Sequence, residues 1–157
     1  MTLFIGIDPG LSGAIAFYDL ESGRLAVDDM PTVEIKRNGK DKKEINPHVL
    51  ADFFTGISVP CSAVLERVGA MPGQGVTSVF SFGRSVGVIE GVLAASFIKV
   101  TIVTPQTWQK AAGVRGGKDG ARLRASELFP AYAPLFSRKK DDGRADAALM
   151  AWYAATK

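Results

Sequence analysis

Leu3-Phe4-Ile5-Gly6-Ile7-Asp8-Pro9-Gly10 opens the chain as an apolar, β-branched run that stops at a turn signal. Side chains on a strand alternate between two faces, and this strand ends on a charge. A carboxylate in that position is partly desolvated, which costs several kcal/mol unless something compensates it. The residues alone allow a second reading, an ordinary Asp turn at Asp-Pro-Gly.

Working outward, a tight turn over 10–13 leads to a second strand over 14–20, and Glu21-Ser22-Gly23 turns the chain again. A third strand is expected over 24–33, completing an antiparallel meander. The basic, polar segment 35–45 reads as a loop or hairpin tip. Asn46 and Pro47 suit the cap and first position of a helix, and Val49, Leu50, Phe53 and Phe54 recur at helical spacing to about residue 56. A strand over 62–68, a loop over 69–75, a long helix over 77–97 and a strand over 99–103 follow. A helix is expected from after Gly117 to Leu128, and a last one from Asp141 or Asp142 to the end. Gly83, Gly87 and Gly91 lie four apart on the long helix, which implies close approach by the sheet or by a partner chain. The order β-β-β-α-β-α-β-α-α gives an α/β protein: a mixed five-stranded sheet, meander first, flanked by helices. The 157 residues fit one domain over 1–157.

Composition narrows the chemistry. Hydrophobic residues make up 46% and charged residues 22%, enough to bury a core. Cys61 is the one cysteine and His48 the one histidine, so a zinc site of His and Cys ligands is excluded. Any metal must be held by carboxylates, which selects magnesium or manganese. His48 reads as a surface helix residue, Cys61 as a small core residue, and Trp108 and Trp152 as packing. No uncharged apolar run of membrane-spanning length occurs, and the N-terminus lacks a basic leader, so a cytoplasmic protein without membrane contact is expected. The net charge of +3 permits a nucleic-acid partner without requiring one. Its distribution says more. Lys36, Arg37, Lys40, Lys42 and Lys43 form one cluster, Arg115, Lys118, Arg122 and Arg124 a second, and Arg138, Lys139 and Lys140 a third. Each by itself fits a solvated face; three beside an acidic site favour phosphate contacts.

Glu66 interrupts the strand Ala63-Val64-Leu65-Glu66-Arg67-Val68, and Glu is depleted in strands and seldom buried unpaired. An ion pair is the other reading, but Arg67, being next in sequence, leaves the opposite face. Asp146 shares a helix face with Asp142, Leu149, Met150 and Tyr153, so it points into the body of the protein. Asp142 stands one turn earlier and reaches the same place, although Asp141 or Asp142 would also make a normal helix cap. Carboxylates from separate elements on partly buried faces need cations. Two hard divalent ions about 4 Å apart would activate a water and stabilise the leaving oxygen of a phosphodiester. Lys118, after Gly116-Gly117 and before a helix, is placed to touch the scissile phosphate or to stay an exposed lysine.

These residues resemble RuvC-type Holliday junction resolvases, of the RNase H-like superfamily, with a likeness to phage-type members. The resemblance is carried in order by Ile5-Gly6-Ile7-Asp8-Pro9-Gly10 with Gly13, by Val64-Leu65-Glu66-Arg67-Val68, by Ser81-Phe82-Gly83-Arg84-Ser85-Val86-Gly87, by Gly116-Gly117-Lys118, and by Arg144-Ala145-Asp146-Ala147-Ala148-Leu149. It implies an RNase H-like fold and a homodimer nicking a four-way junction symmetrically, in the cytoplasm of a bacterial or phage-infected cell. It also implies two Mg2+ or Mn2+ ions on Asp8, Glu66, Asp142 and Asp146, with Lys118 as the functional lysine. Two departures are visible. The family's acidic residue or histidine three positions before the last aspartate is Gly143 here, with Asp142 in its stead. The family's aromatic wedge after the glutamate has only Met71 as a counterpart in 69–72. The rival readings are another RNase H-like nuclease acting on flap or branched DNA or on RNA–DNA hybrids, an actin-like phosphotransferase, and a non-catalytic DNA-binding module. The last leaves the inward-facing acids without a purpose.

Overall fold

The computed structural model describes residues 1–157. β1 (Leu3–Ile7), β2 (Ala14–Asp19) and β3 (Arg24–Asp29) form the expected antiparallel meander. A separate hairpin of β4 (Thr32–Arg37) and β5 (Lys40–Ile45) follows. Then come α1 (Pro47–Phe54), β6 (Cys61–Glu66), α2 (Val76–Ala95), β7 (Lys99–Val103), α3 (Pro105–Ala112) and α4 (Gly120–Leu128). Two 3-10 segments, Pro130–Phe136 and Lys139–Asp141, lead into α5 (Asp142–Ala155). The main sheet runs β3-β2-β1-β6-β7, with β6 parallel to both β1 and β7. This is the mixed five-stranded sheet that the hydrophobic pattern called for.

Three local readings are corrected. The third strand does not run over 24–33. It stops at Asp29, because Met30 turns inward, buried, to donate to the Gly13 carbonyl at 2.9 Å, and Pro31 has no N–H to continue a ladder. The basic segment 35–45 is mostly strand. Asn38 (φ 53°) and Gly39 (φ 71°) both take the left-handed backbone of a type I′ turn, the tip that matches strand twist. Finally, α3 was not anticipated. Thr104 caps it by accepting from Thr107 N–H, Pro105 opens it, and Gly113 (φ 72°) closes it.

Helices cover both faces of the sheet. On one, Ile5, Ile7, Ala63 and Leu65 pack against Leu50, Phe54, Ile89 and Leu93 of α1 and α2. On the other, Val64 and Ala16 meet an alanine-rich α5, with Trp108 of α3 and Ala125 of α4 beside it. Gly6 sets the spacing there. A methyl group at residue 6 would land on the backbone of Ala147 and Ala151, so only glycine lets α5 lie directly on β1. The glycines of α2 behave differently. Side chains at 83, 87 or 91 would meet open space, while Ser85, Ile89 and Leu93 face inward. The sheet is therefore not what approaches that stripe. By length and hydropathy α2 reaches what a membrane span needs, though it contains Arg84 and Glu90 and is seated on the sheet through its buried face.

Candidate active site

The parallel pairing of β1 and β6 puts Ile7 opposite Leu65. Asp8 and Glu66 thus stand level at the ends of neighbouring strands. Alternation aims both to the face on which Gly6 and Val64 meet α5. The first turns of α5 close over them. A methyl at Gly143 would sit 2.7 Å from the Ser12 carbonyl oxygen, 2.8 Å from Gly13 Cα and 3.0 Å from Asp8 Oδ2. One turn further along, Asp146 enters the same space.

Each of the three carboxylates is held above its ordinary range. Burial raises Asp8, against the Gly10 N–H that donates to its Oδ1 at 3.2 Å. Burial also raises Glu66, with a further push from Asp8, against the Trp108 indole N–H that donates to its Oε1 at 2.9 Å. Asp146 is pushed up to about 8, first by burial and then by the charges of Asp8, Glu66 and Asp142. None of the three forms a salt bridge, although nine ion pairs exist elsewhere in the molecule. Nor do any three acids close into a ready-made cage. Like charges at the mouth of a partly dry pocket hold one another apart, and a cation would draw them together.

The structure gives the other two expected residues different surroundings. Asp142 is half exposed and bonded at 2.7 Å to Arg122, which also holds Asp119. Lys118 is exposed in the loop before α4, with no ion pair and no hydrogen bond. Arg122 ties that loop to the start of α5. Met71 is exposed in the loop after β6, His48 is exposed on α1, and Cys61 is half-buried and packed against the core.

Trp108 is the residue that the sequence reading undervalued. It is fully buried, as a packing residue should be, yet its one polar atom is committed to Glu66. The signal was available: Thr104-Pro105 marks a helix start, and a helix from 105 brings residue 108 under the end of β6.

Sheet order, crossover helices and acids at the strand ends define an RNase H-like fold of the RuvC kind. The chain is similar over 99% of its length to T. thermophilus RuvC in complex with a Holliday junction substrate, with 96% of that chain covered, a TM-score of 0.64 and 13% identity. A second Thermus thermophilus RuvC structure matches over 98% of this chain and 96% of its own, with a TM-score of 0.56 and 15% identity. The yeast mitochondrial Holliday junction resolvase Ydc2 matches over 96% and 75%, with a TM-score of 0.53 and 18% identity. In sequence, the chain is 34% identical over 86 residues to the chloroplastic Holliday junction resolvase MOC1 of Chlamydomonas reinhardtii. That stretch is 54% of this chain and 10% of the relative's length. No family model matches.

Proposed function

We propose that this chain is a structure-specific endonuclease that resolves four-way DNA junctions, acting as a homodimer that nicks two equivalent strands symmetrically. One observation carries the reading: Asp8, Glu66 and Asp146 are partly buried, face the same space and have raised pKa values, and no protein cation neutralises them. An all-oxygen, all-acidic donor set fits Mg2+ or Mn2+ and not a softer metal. Asp8, Glu66 and Asp146 would hold two such ions, and Asp142 joins them once Arg122 releases it. The chemistry that such a pair supplies is activation of a water and stabilisation of the leaving oxygen.

The chain's own groups do the rest. Gly10 N–H and Trp108 Nε1–H each engage one oxygen of a carboxylate and leave the other without a protein donor. Lys118 supplies a positive charge for the phosphate that is cut. The dimer reading is supported by α2, whose Val76, Phe80, Gly83 and Gly87 line one exposed stripe opposite Ser85 and Ile89. A second copy's α2 laid on that stripe would cover it, and two-fold symmetry matches two equivalent DNA strands.

The test sets a four-way junction, a duplex, a flap and an RNA–DNA hybrid side by side with Mg2+. Preferred cutting of the junction is expected. Asp8→Asn should keep junction binding and lose cutting, because binding rests on basic residues and cutting on the carboxylates. Cleavage of the hybrid alone would overturn the resolvase reading and leave another RNase H-like nuclease.

A further inference from the structure

The β4–β5 hairpin is not hydrogen-bonded into the main sheet, yet it is firmly seated. Ile45 is buried at its base, and Glu44 accepts from Arg84 of α2 and lies 3.4 Å from Arg37. Glu44 is thereby occupied with two arginines. Lys36, Lys40, Lys42 and Lys43 then outnumber Glu34 and Asp41, and none of these six makes an ion pair. Between the hairpin and α2 runs an open cleft of about 340 Å³. Lys42 and Lys43 line it from the hairpin, Thr77, Ser78, Ser81 and Phe82 from α2, and Leu11 stands at one margin. Leu11 belongs to the turn that immediately follows Asp8. No carboxylate lines the cleft.

We propose that this cleft holds the sugar–phosphate backbone of the strand to be cut, beside the scissile phosphate. The inference rests on the nuclease reading above and deepens it. Two lysines on the hairpin side and hydroxyl residues on the α2 side, without a carboxylate between them, suit a ligand that is anionic and accepts hydrogen bonds along its length. A DNA backbone is such a ligand, and contacts of this kind fix register without reading sequence. The Glu44–Arg84 bridge fastens the arm to α2, and the Asp8 turn lies at the edge of the cleft. A strand anchored here is therefore presented to the carboxylates at a fixed offset, so the cleft sets where the nick falls relative to the branch.

The test compares Lys42→Ala/Lys43→Ala with Lys99→Ala/Lys157→Ala, a control equal in charge. Lys99 begins β7 and Lys157 follows α5, so both control positions lie at the far end of elements whose other ends carry the site. Binding of a labelled junction is measured by anisotropy against salt, each pair being placed in the Asp8→Asn background so that nothing is cut. Loss of two phosphate contacts should weaken binding at least about 10-fold and flatten the salt dependence by about one unit per lysine. The control should do neither. With Asp8 restored, single-turnover cutting by the hairpin variant at saturating enzyme should spread the nick over neighbouring positions. Wild-type affinity and salt slope in the hairpin variant would overturn the proposal, as would an equal loss in the control. Failure of the wild-type chain to cut any junction would instead sink the nuclease reading, while the salt slope would still report on the cleft. Thermal melting of each variant checks that the fold is kept.

Discussion

Glu66 takes its hydrogen bond from an indole, and the kind of donor matters. An arginine or lysine there would neutralise the carboxylate and compete with a cation; a neutral N–H orients it and leaves its charge available. Trp108→Phe removes the donor and keeps most of the apolar bulk. Mn2+ affinity, followed by calorimetry, should fall by about 10-fold or more, in the range typical of partners that orient metal ligands. Unchanged affinity would show that Trp108 only fills space. Asp146 carries the second prediction at this scale. Its carboxyl sits near 8 in the folded chain and near its ordinary 3.8 when unfolded, so between those values the folded state binds the extra proton. Stability must then fall as pH rises from about 4 to 8, by no more than a few kcal/mol once neighbours share the shift. Urea midpoints of the metal-free protein should drop from pH 5 to pH 9, and Asp146→Asn should flatten that drop while abolishing cleavage. A wild-type midpoint that rises across this window would refute the assignment. The three inward acids were legible from the sequence because strand parity and helix facing are rules of geometry. Trp108 was not, since its role depends on a helix that the reading passed over and on a contact 42 residues away.

At the level of elements, closeness of backbones places the site. Gly6 admits α5 to the surface of β1, and Gly143 admits its first turn to the 10–13 turn. This explains the departure at Gly143. A side chain three positions before Asp146 would strike Ser12 and Gly13 and crowd Asp8, so no acid fits at 143. Gly6→Ala should overpack the layer by about 1–3 kcal/mol or more and lift α5 away from Asp8. Chemical denaturation would register the loss, and weakened Mn2+ binding would register the displaced Asp146. A variant as stable as wild type would mean that the two elements are not in contact. The strands and the long helix were readable because apolar periodicity is strong in them. The hairpin was half-read: its lysines look like loop, and only Asn38-Gly39 betrays a turn between strands. The end of β3 was misread because Met30 is apolar and extends the pattern, while Pro31 stops the ladder.

For the whole molecule, the largest unresolved force is the uncovered face of α2. Val76 is 86% and Phe80 66% exposed, in line with glycines that leave the backbone open to close approach. Water gains by losing contact with such a stripe, at roughly 25 cal/mol per Å² of apolar surface covered. Glycine in a helix costs about 1 kcal/mol against alanine, and three of them on a solvent face would be a net loss with nothing laid against them. From the sequence, the sheet and a partner chain were equal candidates; the structure removes the sheet. Gly87→Arg tests what is left. The substitution faces solvent within one chain, so the monomer should fold with its melting temperature close to wild type or higher. In the dimer it would drive two long cations into a helix–helix contact. Sedimentation equilibrium should show wild-type chain as dimer and the variant as monomer. Junction nicking should then pass from paired, symmetric cuts to single uncoupled ones, scored on a cruciform plasmid as nicked circles in place of linear product. A wild-type chain that stays monomeric at micromolar concentration would overturn the homodimer, and a variant that still dimerises would place the interface somewhere other than on α2.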